Sequence, residues 1–188
     1  MDALMAAIVL GAICQISDKT PWLAAIFADR FRSPALVVLA AVLALSFNYA
    51  IGVAAGLAVT ALLTPEARLL LLALALMLAG AGTGFRFKRP DALDGWRTGP
   101  AFTSIAGLAI MAFGDRMQFV VAALAGRSTL PWAAMVGAVI GGTAVNVVAV
   151  ALGEAAWLRL PLKALRIAAS AILLIAGVVT GLNALRLI

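Results

Sequence analysis

Two acidic side chains stand where acid is least expected. Asp18 and Asp115 interrupt long apolar runs, and each is followed at once by a base, Lys19 and Arg116. Each acid lies about 15 residues into its run, where about 20 apolar residues cross a bilayer as a helix, so both fall near mid-depth. A carboxylate there is costly unless paired or hydrated, and such residues mark ion or proton pathways by default. At helical spacing, Gln15 (three before Asp18) and Gln118 (three after Asp115) share a face with their acid. Thr20 adds a hydroxyl, and two further runs contribute the amides Asn48 and Asn146, with Ser46 and Thr143 nearby. These are carboxylate, amide and hydroxyl oxygens, the ligands of hard cations. The chain has no histidine, which removes the usual imidazole ligand and near-neutral proton carrier. An all-oxygen site suits Ca²⁺, Mn²⁺, Mg²⁺ or Na⁺ better than Zn²⁺ or Cu²⁺. The candidate metal ligands are therefore Asp18, Asp115, Gln15, Gln118, Thr20, Asn48 and Asn146. Lys19 and Arg116 are the charge-compensating bases, Arg116 expected on Asp18 and Lys19 on Asp115. For the amides, bonding one helix to another is an equally open role.

The elements that must position these groups are membrane spans. Of 188 residues, 65% are hydrophobic and 12% charged, with mean hydropathy +1.13, against about a quarter charged in an ordinary soluble domain. Lipid must therefore be the solvent. Six runs are long enough to cross: 3–28, 34–63, 69–85, 101–125, 131–158 and 164–185. Pro34, Pro65 and Pro131 sit near expected helix starts, where a missing N–H does no harm. No basic stretch precedes the first run, so the reading is of no signal peptide, insertion resting on the first span itself. Cys14, the single cysteine, reads as a small buried hydrophobe. The net charge of +6 would suggest nucleic acid in a soluble chain. Here the bases cluster in loops instead: Arg30, Arg32, Arg86, Lys88, Arg89, Arg97, Arg159, Lys163 and Arg166 share one side, and Arg68, Arg127 and Arg186 the other. By the positive-inside rule the richer side is cytoplasmic and both termini face outward. The Ala- and Arg-rich composition suggests a bacterial inner membrane.

The sequence also matches itself at an offset of 97. Asp18 meets Asp115, Lys19 meets Arg116, Arg30 and Pro34 meet Arg127 and Pro131, and Gly56 meets Gly153. Ala79-Gly80-x-x-Thr83-Gly84 meets Ala176-Gly177-x-x-Thr180-Gly181. The expectation is one all-α membrane domain over 1–188, with a first repeat 1–89 and a second 98–188. Three spans per half is odd, so the halves would be inverted, with a site at mid-depth between them. Gly80, Gly84, Gly177 and Gly181 read as close helix packing.

Gln15-Ile16-Ser17-Asp18-Lys19-Thr20 resembles one copy of a Glu-x-Gly-Asp-Lys/Arg-Thr/Ser motif, and Ala112-Phe113-Gly114-Asp115-Arg116-Met117-Gln118 resembles the second. Paired copies on the first and fourth of about six spans are the mark of the family of the Golgi transmembrane protein 165 and its bacterial manganese-exporter relatives. The resemblance spans nearly the whole chain and implies exchange of Mn²⁺ or Ca²⁺ for H⁺ at the two motifs. Here the leading Glu of each motif is replaced, by Gln15 and Ala112, leaving the site formally neutral where the family pattern gives minus two. The expected function is thus a transporter of small cations, most readily Mn²⁺ or Ca²⁺ against protons, with that ion as substrate and no cofactor. The neutral site keeps open a monovalent cation or a small cationic or zwitterionic solute, as in the broader lysine-exporter superfamily, and a non-transporting partner subunit. Expected partners are the bilayer, the cation, and a second copy or a paralogue; nucleic acid is not expected. With no histidine, no protease-type carboxylate pair and no Gly-x-Ser-x-Gly turn, no enzyme activity and no catalytic residue is expected.

Overall fold

Proline marks where many of the helices begin. In the computed structural model, which describes residues 2–16, 18–85 and 88–187, eight helices form: α1 (Asp2–Ile16), α2 (Lys19–Phe31), α3 (Pro34–Thr60), α4 (Pro65–Thr83), α5 (Pro100–Ala112), α6 (Arg116–Ala125), α7 (Pro131–Trp157) and α8 (Leu162–Ala184). Four of them open on a proline, whose fixed φ suits a first turn and whose absent N–H is not missed there. No strand occurs among the described residues.

The first and fourth expected spans are not continuous helices. The axes of α1 and α2 meet at 68°, and those of α5 and α6 at 71°. Each break sits at the intramembrane acid. Asp18 and Asp115 are the N-caps of α2 and α6, in extended backbone, with side chains accepting the N–H of Thr20 and Gln118. A short acidic side chain bonds its own following backbone and so ends one helix and starts the next. Gly114, at φ +71°, makes the turn ahead of Asp115 in a conformation costly to any other residue. Among the described residues, four helices are long and apolar enough to cross a bilayer, and the number is six if each bent pair counts as one span. Large apolar side chains such as Leu39, Phe47, Leu78, Ile110, Ile140 and Ile175 are exposed, as lipid-facing positions should be. The protein is an all-α integral membrane protein.

The two 27-residue helices, α3 and α7, lie against each other and buttress the breaks. α7 packs on α1 and α2, while α3 packs on α5 and α6. Small residues bring backbones together: a Cβ on Gly141 would meet the carbonyl of Ile8, and one on Gly56 the carbonyl of Ala122. α4 and α8 cross where Gly80 faces Leu174 and Gly177 faces Met77, and Ser170 donates to Gly80 O at 2.7 Å. The helix starts Lys19 and Arg116, Pro34 and Pro131, and Pro65 and Leu162 each lie 97 residues apart.

One helix departs from its counterpart. Gly56 is helical within α3, but Gly153 has φ +71° and kinks α7. The carboxylate of Asp29 fills the space beside it and accepts the N–H of Glu154 at 2.8 Å. Asp29 and Arg30, expected in a loop, lie instead on the last turn of α2. Glu154 in turn takes a two-pronged bond from Arg89, both at 2.8 Å, and Arg30 holds Ala92 O at 2.7 Å and Asp94 at 3.3 Å. Residues 89–94 are thereby strapped across this end. Gly153→Ala would combine a left-handed φ with a Cβ 2.5 Å from Asp29 Oδ1. Thermal unfolding in detergent should show it destabilised by about 1–3 kcal/mol. Gly95→Ala, with open space around it, should unfold as the native protein does.

Candidate functional site

The site is built where the two breaks approach each other. At the first, Asp18 Oδ2 accepts the Thr20 hydroxyl at 2.7 Å and the Thr20 N–H at 3.3 Å. Its other oxygen, Oδ1, accepts from Arg116 Nη2 at 3.2 Å, across from the other half of the chain. Both side chains are about 15% exposed, so the pair is largely dry. Arg116 also donates to Thr83 Oγ1 at 2.9 Å, whose own proton goes to Ala79 O at 2.7 Å. The expected Asp18–Arg116 pair is thus present.

At the second break, Asp115 Oδ1 accepts the N–H of Gln118 at 2.6 Å. Its Oδ2 accepts from Gln15 Nε2 and from the Tyr49 hydroxyl, both at 3.4 Å. Gln15 Nε2 also lies 3.2 Å from Tyr49 Oη, and Gln15 Oε1 accepts from Asn146 Nδ2 at 3.3 Å. Gln15, Tyr49 and Asn146 are all buried. Three helices, α1, α3 and α6, therefore converge on one carboxylate, and α7 reaches it through Gln15.

Gln15 does not share a helix face with Asp18, because the break separates them; it serves the opposite acid. Gln118 turns both ends of its amide to backbone, accepting from Gly114 N at 2.7 Å and donating to Asn48 O at 2.9 Å. The side chain of Asn48 donates to Ala44 O and Ala109 O at 2.9 and 3.0 Å. These two amides bracket the start of α6 against α3. Asn48 Oδ1 and Asn146 Oδ1 are both buried with no donor among the described residues. Lys19 is partly buried at the first position of α2. Two residues here escaped the sequence reading. Tyr49 is the chain's single tyrosine, in mid-span, a signal that was available. Thr83 stands out in the sequence only as part of the Ala-Gly-x-x-Thr-Gly motif that recurs at an offset of 97. Among the described residues no three acidic or thiol groups gather as a ready metal cluster, so a cation here would meet two carboxylates and neutral oxygens.

Residues 3–89 and 100–187 each match the family profile described as divalent cation/proton antiporter GDT1. The chain belongs to the GDT1 family. Among curated proteins, one described as "Putative manganese exporter" from Vibrio cholerae serotype O1 (strain ATCC 39541 / Classical Ogawa 395 / O395) is 28% identical over 186 residues, covering 96% of this chain and 90% of the relative. No solved structure matches significantly. This GDT1 protein is a membrane transporter of divalent cations, and its two matched segments carry one N-capping aspartate each.

Removing one partner of a dry ion pair leaves the other uncompensated. Arg116→Leu should therefore lower stability in detergent by about 3–5 kcal/mol, through the stranded Asp18 carboxylate. Asp18→Asn combined with Arg116→Leu should recover much of that loss in the same unfolding assay.

Proposed function

We propose that this GDT1 protein exports Mn²⁺ in exchange for protons, the ion binding at Asp115 and Asp18 between two inverted repeats. The observation that carries the reading is Asp115: a carboxylate within the membrane that accepts from the neutral donors Gln118 N–H, Gln15 Nε2 and Tyr49 Oη at 2.6–3.4 Å, available to trade a proton for a metal. Asp18 joins when Arg116 releases it. Arg116 then supplies the charge that neutralises Asp18 on the empty return, which an exchanger needs so that a bare carboxylate need not cross. The equal spacing of helix starts in the two halves supports duplication with inversion. The choice of Mn²⁺ and the outward direction rest on the bacterial relative's description.

A cleft on the same helices accompanies the proposal. A cleft of about 480 Å³ opens between α1, α4, α6 and α8 beside Asp2 and Arg127, and descends to Leu10, Leu72 and Leu76. One turn further along α1 and α4 come Cys14 and Ala79, next to the Gln15 and Thr83 of the site. With the termini outward, this cleft is the outer vestibule, and the residues fastened by Arg89 and Arg30 lie at the cytoplasmic end.

The test is Mn²⁺-driven proton flux in proteoliposomes. Asp115→Asn and Asp18→Asn should each abolish it. Gln15→Glu adds a charge beside Asp115 and should tighten Mn²⁺ binding at least about tenfold, since two charges about 4 Å apart at a partly buried site interact by about 4 kcal/mol. Transport of a monovalent solute with no Mn²⁺ or Ca²⁺ flux would overturn the assignment.

A further inference from the structure

Gln15 meets Asp115 with the wrong end for a metal ligand. Its Nε2 faces the carboxylate and Tyr49 Oη, and its Oε1 faces Asn146. An N–H pointing at Asp115 suits an empty carboxylate and repels a cation placed there. To ligate, Gln15 must turn its amide over and bring the oxygen to the site. Its nitrogen would then face Asn146, and a buried amide nitrogen needs an acceptor. Asn146 has one in hand: Oδ1 is buried and accepts from none of the described residues. Its Nδ2 now holds Gly142 O at 2.9 Å as well as Gln15, so the Asn146 amide must swing with Gln15 to bring that oxygen round. Gly142 also gives Gln15 clearance, since a Cβ there would stand 3.2 Å from Gln15 Cγ.

We infer that Asn146 is a positioning residue for cation binding, one that satisfies both orientations of Gln15: its nitrogen holds the empty state and its unpartnered oxygen receives the amide when Gln15 turns to the metal. Asn146 does not itself touch the ion. The consequence for selectivity is direct. Where the motif glutamate would present oxygen whichever way it turned, this chain presents oxygen only when the Gln15–Asn146 pair has switched. The bound state is therefore reserved for an ion of high enough charge density to turn the amide, a divalent one over Na⁺ or K⁺. The inference rests on the cation site proposed at Asp115.

The experiment is a double-mutant cycle read by Mn²⁺ titration calorimetry on the purified protein. Asn146→Leu should weaken binding about tenfold, the usual effect of removing the group that orients a metal ligand. Asn146→Ser, whose hydroxyl both donates and accepts, should keep most of the affinity. In the Gln15→Glu background, Asn146→Leu should change affinity less than about threefold, because a carboxylate needs no turning. An equal loss in both backgrounds, or no loss in either, overturns the inference. If Asn146→Leu does not fold, Asn146→Ala takes its place in the same cycle. Asp115→Asn is the control that separates the two claims: native-like Mn²⁺ binding by that variant removes the site itself, and the positioning role with it. Loss of binding in Asp115→Asn alongside equal losses in the two backgrounds removes only the positioning role.

Discussion

A carboxylate at mid-membrane must be given hydrogen-bond donors, and the backbone can give them only where a helix begins. An unbroken helix has no spare N–H in its interior, whereas a new helix start offers several. That is why α1/α2 and α5/α6 are broken pairs. The 2.6 Å bond from the Gln118 N–H to Asp115 and the bonds from Thr20 to Asp18 are what make acid tolerable at this depth. The break has its own requirement, since the carbonyls ending α1 and α5 are freed in turn. Tight turns answer part of it: Asp18 N–H reaches Gln15 O, Asp115 N–H reaches Ala112 O, and Phe113 N–H reaches Ile110 O. Irregular backbone at this depth must also be shielded from lipid. The long α3 and α7 do that, packed so closely that glycine is needed at the crossings.

Arg116 ties the halves together in a way that its position in the sequence only hints at. Its stem runs beneath Gly82, where a Cβ would stand 3.0 Å from Arg116 Cδ. Its planar head then spans Asp18 and Thr83 at once. A lysine, as at position 19, is a single point charge and cannot serve two acceptors in a fixed fork in the same way. The two halves are therefore related but not interchangeable. The same holds for α3 and α7, of which only the latter is kinked, around Asp29 and Gly153.

Composition and run length were enough to establish a membrane protein, because no other solvent accommodates so much apolar surface. The acids, the bases and the prolines at α3, α4 and α7 were legible for the same reason: each is rare in this composition, so each must be explained. The breaks were not legible. Asp18 in a long apolar run looks the same on paper whether it sits inside a helix or caps one, and the choice turns on tertiary support from α7 that no local pattern records. Placing Gln15 with Asp18 followed from assuming a continuous helix. Once the helix is cut, Gln15 belongs to α1 and reaches Asp115 instead. A tyrosine within a span reads as apolar bulk, as Tyr49 does. Its hydroxyl becomes visible as a site group only when α3 is set against both breaks.

The loss of both motif glutamates makes the site formally neutral, which on side chains alone looks hostile to a divalent ion. Side chains are not the whole field, however. Each broken pair places a helix C-terminus at the site, and such an end carries about half a negative charge on its unpaired carbonyls. The matching positive ends, at α2 and α6, are already spent on Asp18 and Asp115, which cap them. Acids, bases and opposite helix ends still sum to zero, so what a visiting ion gains here is the local approach to freed carbonyls, in the manner of half-helix ends in other repeat-built transporters. It is a weaker and more diffuse attraction than two glutamates would provide. A site of this kind holds its ion less firmly and releases it more readily, and its discrimination shifts from charge count to the geometry of neutral oxygens. In the proposed site those oxygens belong to Gln15 of α1, held by Asn146 of α7, and to Tyr49 of α3.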